Sequence, residues 1–438
     1  MNLRDFRRAG HFPTLICAFL YFDVSFMIWV LIGSLGASIS AQLGFDPVVD
    51  AAKKGFLVAV PLLGGSLLRL VLGLLTDHIG ARRTALVGMT LTTIPLLLGW
   101  LWANRFAEIL LVGLLLGVAG ASFAAALPLA SRWYPPHYQG LAMGIAGAGN
   151  SGTALATFFG PILAHWLGWH AVFGLALIPL LATLSVFFFL AKDSPQQPPP
   201  KSLRDYGAVL GHADTWWFCL FYSVTFGGFV GLASFLTIFF KDQYFLLDAT
   251  SGEMYAGYMT TLCVISGSFL RPVGGYLADR FGGVRMLMLL YSAAGGALLL
   301  LATLPALPAA ITLLFAVMGL LGMGNGSVFQ LVPQRFPREI GVLTGVVGAA
   351  GGIGGFLLPN VLGKLKQETA SFAPGFMVFA LTAGLCALVL WRLRPRWENE
   401  FLTAPPPAAA AATEEPIVAS ANASGNGCHS TFVPTEMS

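Results

Sequence analysis

The chain has 438 residues, of which 56% are hydrophobic and only 10% charged, with a net charge of +4. Soluble domains carry about 25% charged residues, so this composition belongs to an integral membrane protein and excludes a soluble enzyme or binding module. The small positive charge is accounted for by loop asymmetry (below) and does not argue for nucleic acid.

Apolar runs of about 20 residues or more, the length a helix needs to cross ~30 Å of hydrocarbon, recur along the chain. Span 1 (13–40) follows Arg4, Arg7 and Arg8, is too long for a signal-peptide core, and holds Asp23 in its interior. Span 2 (55–76) carries Arg69, span 3 (84–103) follows, and span 4 (107–131) carries Phe123. Span 5 (140–163) contains AGAGNSG (146–152), with Gly147, Gly149, Asn150 and Gly152, and span 6 (167–191) completes an N-terminal half, 1–191. Residues 192–213 are polar and proline-rich, as an interdomain linker should be. The C-terminal half, 214–392, begins with span 7 (214–241), carrying Tyr222 and Phe226, and span 8 (254–277), carrying Arg271. Spans 9 (286–304), 10 (308–332), 11 (341–364) and 12 (371–392) complete it; span 11 holds Gly351, Gly352, Gly354 and Gly355. The tail, 393–438, becomes polar, and 400–438 lacks the apolar residues for a core, so disorder is expected there. Its Asn422-Ala-Ser424 sequon would be unused on a cytoplasmic tail. Unbroken apolar runs, rather than alternating ones, exclude a β-barrel.

Twelve spans put both termini on one side. Sixteen of the 24 lysines and arginines fall on that side and six on the other, the remaining two being Arg69 and Arg271. The positive-inside rule then places both termini in the cytoplasm. Five scattered cysteines show no metal spacing, and neither a disulfide nor a cofactor is implied.

An offset of 202 residues relates the halves. It maps Arg69 on Arg271, Gly117 and Gly120 on Gly319 and Gly322, and AGAGNSG on GAAGGIG (348–354). Parallel six-helix halves with a midplane site between them are a plan of secondary transporters. A guanidinium inside a bilayer is costly and faces a polar cavity or partner. Two of them, related by a repeat, point to a central site for a small anion.

The loops after spans 2 and 8 read GLLTDHIGARR (73–83) and GYLADRFGGVR (275–285). They resemble the cytoplasmic loop signature of the major facilitator superfamily. Besides topological anchoring, this resemblance implies a gating role for Asp77, Arg82, Arg83, Asp279, Arg280 and Arg285. The aspartates would pair across the halves or with a helix N-terminus and hold the cytoplasmic side shut.

Glycine at the density found in spans 5 and 11 weakens a helix by ~1 kcal/mol per residue against alanine, which close packing through small residues offsets in membranes. Gly147-x-Gly149-x-x-Gly152 also fits a dinucleotide fingerprint, but inside a span it lacks the strand–turn–helix context that motif needs. Together with GASFAAALPLASRWYPP, FYSVTFGGFVGLAS and GMGNGSVFQLVPQRF, these runs resemble the nitrate/nitrite porter family over all twelve spans. The resemblance implies nitrate, possibly nitrite, as substrate in a bacterial inner membrane, with no cofactor and no obligate protein partner. It assigns the anion to Arg69, Arg271 and Asn150, bordered by Phe123, Tyr222 and Phe226. Span 11 has Gly352 where the repeat would place a second Asn150.

Nitrate is planar and singly charged, and the guanidinium fork gives such an oxyanion two parallel N–H bonds where lysine offers a point charge. Asp23 is the acidic residue placed well within a span, and intramembrane carboxylates often belong to proton relays. Two arginines, one ionised Asp23 and one nitrate sum to zero charge, so protonating Asp23 would free an arginine for the anion. The expected function is nitrate/proton symport. The alternatives are nitrate/nitrite exchange, with Asp23 structural, and transport of another small anion. No nucleophile–base pair or metal motif supports a membrane enzyme.

Overall fold

The computed structural model describes residues 3–195, 203–248, 251–336 and 340–402. The sequon, Cys428 and most of the tail lie outside them. Among the described residues the chain is helical throughout and contains no strand.

The N-terminal half follows the spans. Helix α1 runs in three pieces, Phe12–Trp29, Leu31–Ser34 and Gly36–Gln42; α2 is Ala51–Ile79 and α3 is Ala81–Leu101. Helix α4 is Phe106–Gly120 continued by Phe123–Ser131. Helix α5 is broken: Pro136–Gly147, a 3-10 turn Ala148–Ser151, then Gly152–Leu167; α6 is Trp169–Leu190. A short helix, Leu203–Leu210, lies in the linker. The second half comprises α7 (Ala213–Tyr244), α8 (Gly252–Phe281), α9 (Gly283–Leu301), α10 (Leu307–Arg335), α11 (Ile340–Thr369) and α12 (Ala373–Trp397). Ten spans are long and apolar enough to cross a membrane by that measure alone. The other two are α5, whose break leaves pieces of 12 and 16 residues, and α8, whose interior is diluted by hydroxyls and Arg271. Helix α12 continues past Arg392 because Trp397 is fully buried and its indole donates to Asp214 at the start of α7 (3.1 Å).

The repeat is visible in the backbone. The chain turns with positive φ at Gly80 and Gly282 (both 90°), and again at Gly168 (78°) and Ala370 (56°), each pair 202 residues apart. Small residues bring equivalent helices into backbone contact. A Cβ at Gly117 would collide with Gly64 across α2 and α4, and one at Gly322 with Gly267 across α8 and α10.

Among the described residues the halves meet chiefly along α2 against α11 and α5 against α8, with α7 also packed on α1 and α2. The two main seams are tight on the face away from the termini. There Gly55 lies against the Pro359 carbonyl and Gly257 against Pro161. Lys54 and Asp242 form a buried ion pair (2.9 Å), and Glu253 accepts from the backbone N–H (3.1 Å) and hydroxyl of Ser38. Toward the terminal face there is open space beside α5 and α11: Cβ atoms at Gly144, Gly147 and Gly341 would meet nothing within 4 Å.

The glycines of the two signature runs therefore differ. Gly149 packs on Phe22, Gly351 on Tyr222, Gly352 on the Ser66 hydroxyl, Gly354 on the Ser223 backbone and Gly355 on Val230. Gly152 meets the Asp23 carbonyl so closely that no side chain fits, whereas Gly147 faces open space, contrary to the expected close packing. Overpacking costs typically 1–3 kcal/mol. Gly152→Ala should lower the melting temperature in detergent, and Gly147→Ala should leave it unchanged or raise it; equal melting of the two would contradict this packing.

Candidate functional site

Arg69 projects from the middle of α2 and is fully buried, with 1% exposure. Its Nη1 donates to the Gly348 carbonyl of α11 (2.6 Å) and its Nη2 to the Gly120 carbonyl at the break in α4 (2.9 Å). The guanidinium is thus held across the halves by backbone alone. Its carbon lies 5.3 Å from the Phe123 ring centre, 5.4 Å from Phe226 and 5.9 Å from Trp29, distances at which the faces of aromatic rings attract cations. Arg271, its repeat mate on α8, is half-buried, with its guanidinium carbon 5.8 Å from the same Phe123 ring centre. Among the described residues neither arginine has a carboxylate partner.

The rings form a cage. Tyr222 and Phe226 stack at 5.0 Å, nearly parallel at 3°, one turn apart on α7. Phe226 stacks on Trp29 (6.5 Å), and Phe329 of α10 lies edge-on to Tyr222 (4.8 Å) and 6.0 Å from Phe123. Trp29 is fixed by donating to the Pro61 carbonyl (2.7 Å) and by filling the space that Gly65 and Gly120 leave. Asn150, at 1% exposure in the 3-10 turn of α5, receives the Ser268 hydroxyl on its backbone carbonyl (3.4 Å). Ser66, the repeat mate of Ser268, faces Gly352, the repeat mate of Asn150.

Buried polar atoms here left without a well-formed hydrogen bond include Arg69 Nε, Arg271 Nη1, Asn150 Oδ1 and the Tyr222 hydroxyl, the last lying close to Arg271. Buried polar groups are nearly always paired, and a cluster of unpaired ones between two cations describes a ligand site. The structure thus gathers Arg69, Arg271, Asn150, Phe123, Tyr222 and Phe226 at one place. Trp29 and Phe329 also belong to it and carried no sequence signal among 34 phenylalanines and 10 tryptophans.

Asp23 departs from the expected arrangement. It is 8% exposed and accepts from the Ser151 hydroxyl (2.6 Å), adjacent to Asn150, with no basic side chain against it. Its charge is therefore not spent on either arginine.

The two loop copies differ as well. Asp77 pairs with Arg132 at the end of α4 (2.9 Å), within its own half. Arg82 donates to the carbonyls of Ala191 (2.7 Å) and Phe188 (2.8 Å), closing the C-terminus of α6, while Asp193 accepts the Arg82 backbone N–H at the start of α3. Arg83 and Asp279 are exposed, and Arg280 lies over the neighbouring Phe281 ring (5.7 Å). Arg285 makes a long, exposed contact with Glu398 (3.7 Å), a geometry worth little. None of these pairs crosses between the halves: the first loop braces its own half, and the charges of the second are mostly exposed. The second half is braced by another cluster, Asp214 with Arg335 (2.7 Å) and Arg396 (3.3 Å).

Twelve helices in two repeated halves, closed on one face around a polar midplane site, define a major facilitator transporter, and residues 14–359 match the Major Facilitator Superfamily. The fold resembles the crystal structure of a D-xylose-proton symporter, with a TM-score of 0.69 at 16% identity, covering 87% of this chain and 97% of that one. The chain is 34% identical to a nitrite extrusion protein of Bacillus subtilis, covering 86% of this chain and 93% of that one. It is 35% identical to the probable nitrate/nitrite transporter NarK2 of Mycobacterium tuberculosis (85% and 94% covered). To the probable nitrate transporter NarT of Staphylococcus carnosus the identity is 31% (84% and 92%). The chain belongs to the nitrate/nitrite porter family of the major facilitator superfamily, and is a multi-pass membrane transport protein rather than an enzyme.

Two charge-assisted bonds to backbone contribute roughly 1.5–3 kcal/mol each. Arg69→Lys, unable to serve both carbonyls with one fork, should melt several degrees below the native protein. Arg271→Lys should not; a ranking the other way round would contradict the assignment of Arg69 as the anchored member.

Proposed function

We propose that this protein carries nitrate inward across a bacterial inner membrane by alternating access, with a proton as the coupling ion. The observation that carries the anion reading is the pair of guanidiniums without carboxylate partners, set in one aromatic cage beside unpaired polar atoms. A planar anion between them would receive the free N–H groups of both arginines, one from each half. Binding would therefore pull the halves together on the terminal-face side. Asn150 and Tyr222 would add side-chain bonds, and Phe123, Phe226 and Tyr222 would exclude bulky substrates. Relatives named for nitrate and nitrite transport support this substrate, and the excess of positive charge on the terminal face supports placing that face in the cytoplasm.

Asp23 is the proposed proton carrier. Because it rests on Ser151 and not on an arginine, proton arrival would act by altering the Asp23–Ser151 bond, one residue from Asn150, rather than by releasing a guanidinium. Asp77 with Arg132, together with Arg82, would keep the N-terminal half rigid as the halves rock, and the remaining loop charges would anchor topology. A second reading, nitrate/nitrite exchange, draws on the same absence of an Asp23–arginine pair. Two uncompensated cations repel in a low-dielectric site, which would favour return of the carrier only with an anion aboard.

The test is nitrate uptake into proteoliposomes holding the purified protein, with an inward proton gradient and no anion inside. Concentrative uptake abolished by a protonophore, and made insensitive to pH by Asp23→Asn, is the expected result. Uptake that requires internal nitrite or nitrate would establish exchange in its place. Arg271→Lys should weaken nitrate binding at least tenfold in either case, because the bidentate fork is lost.

A further inference from the structure

Resting on the anion reading just given, we infer that Asn325 of α10 is a further anion-binding residue, supplying from the C-terminal half the amide that α11 lacks. Asn325 stands in GMGNGS (322–327), is 1% exposed, and has no hydrogen-bond partner on either Oδ1 or Nδ2. A buried amide unpaired at both atoms destabilises the protein that contains it, so its presence calls for a ligand.

Its position follows from its neighbours. One turn earlier, Leu321 reaches Gly228 of α7, where a Cβ would lie 3.1 Å from it. One turn later, Phe329 is edge-on to Tyr222 at 4.8 Å. Gly324, the adjacent residue, is level with Thr225, 2.5 Å from where its Cβ would stand. Helices α7 and α10 are antiparallel, so Asn325 lies level with Phe226, whose ring is 5.4 Å from the Arg69 guanidinium.

The repeat gives an independent line. The residue 202 positions before Asn325 is Phe123, the ring lying 5.3 and 5.8 Å from the two arginines. An amide in the mirrored place flanks the same anion from the opposite half. Gly352, the true mate of Asn150, has the Ser66 hydroxyl in the place of a side chain, so the second amide would come from α10. Its Nδ2 would donate to one oxygen of the anion.

The experiment measures nitrate affinity of the purified full-length protein and its melting temperature in nitrate-free buffer, for the native chain, Asn325→Leu and Asn325→Ser. We expect both variants to bind nitrate at least tenfold more weakly. Asn325→Leu should also melt at or above the native temperature, because two unpaired polar atoms are removed. Nitrate affinity within twofold of native in a folded variant overturns the inference, and the serine variant carries the test if leucine does not fold. A folded native protein that binds no nitrate overturns the anion reading itself, and this inference with it.

Discussion

Two guanidiniums enclosed in an apolar interior, with no carboxylate among the described residues to neutralise them, are the constraint around which this molecule is built. Such charges are tolerated in a membrane only against dipoles, π faces or mobile anions. Arg69 takes all the dipoles on offer: the α4 break exposes the Gly120 carbonyl, and the glycines of α11 let the Gly348 carbonyl approach. The aromatic cage lies within cation–π distance of both. Gly120 of α4 and Gly348 of α11 are intelligible as backbone brought close enough to stand in for a counter-charge.

The exact repeat in sequence is not an exact repeat in chemistry. Arg69 is anchored and Arg271 is not; α5 is broken and α11 is continuous; Asp77 is paired and Asp279 is exposed. In the arginine and aspartate pairs the C-terminal member has fewer bonds, whereas in the glycine helices it is the N-terminal member that is interrupted. The two halves have one fold, but they are not equally braced around the site.

The architecture was legible because its signals are local: unbroken apolar runs, a constant offset, and cations where none should be. Arg69 and Arg271 announce themselves by charge alone, and the rings on α4 and α7 were placed by family resemblance rather than by spacing. What was not legible depends on distance along the chain. Ser151 is 128 residues from Asp23, so the carboxylate's true partner could not be read from either segment, and an arginine was the natural guess. Glu253 stands at a helix end, as its segment reads, but its contact with Ser38 of the other half lies 215 residues away. Arg132 has the look of a loop charge until α4 is seen to deliver it to Asp77. Trp29 and Phe329 differ from dozens of packing aromatics only in what stands across from them.

The 3-10 turn at Ala148–Ser151 has a mechanical consequence. A 3-10 helix rises ≈ 2.0 Å per residue and an α-helix 1.5 Å, so rewinding these four residues would shorten α5 by about 2 Å. It would also swing the segment from Pro136 to Gly147 about the helix axis by tens of degrees. Asn150 belongs to the proposed anion site and Ser151 holds Asp23, and both sit inside that turn. A proton and an anion arriving on opposite sides of one helix would then load the same spring, and the unobstructed space beside Gly144 and Gly147 leaves that segment room to turn.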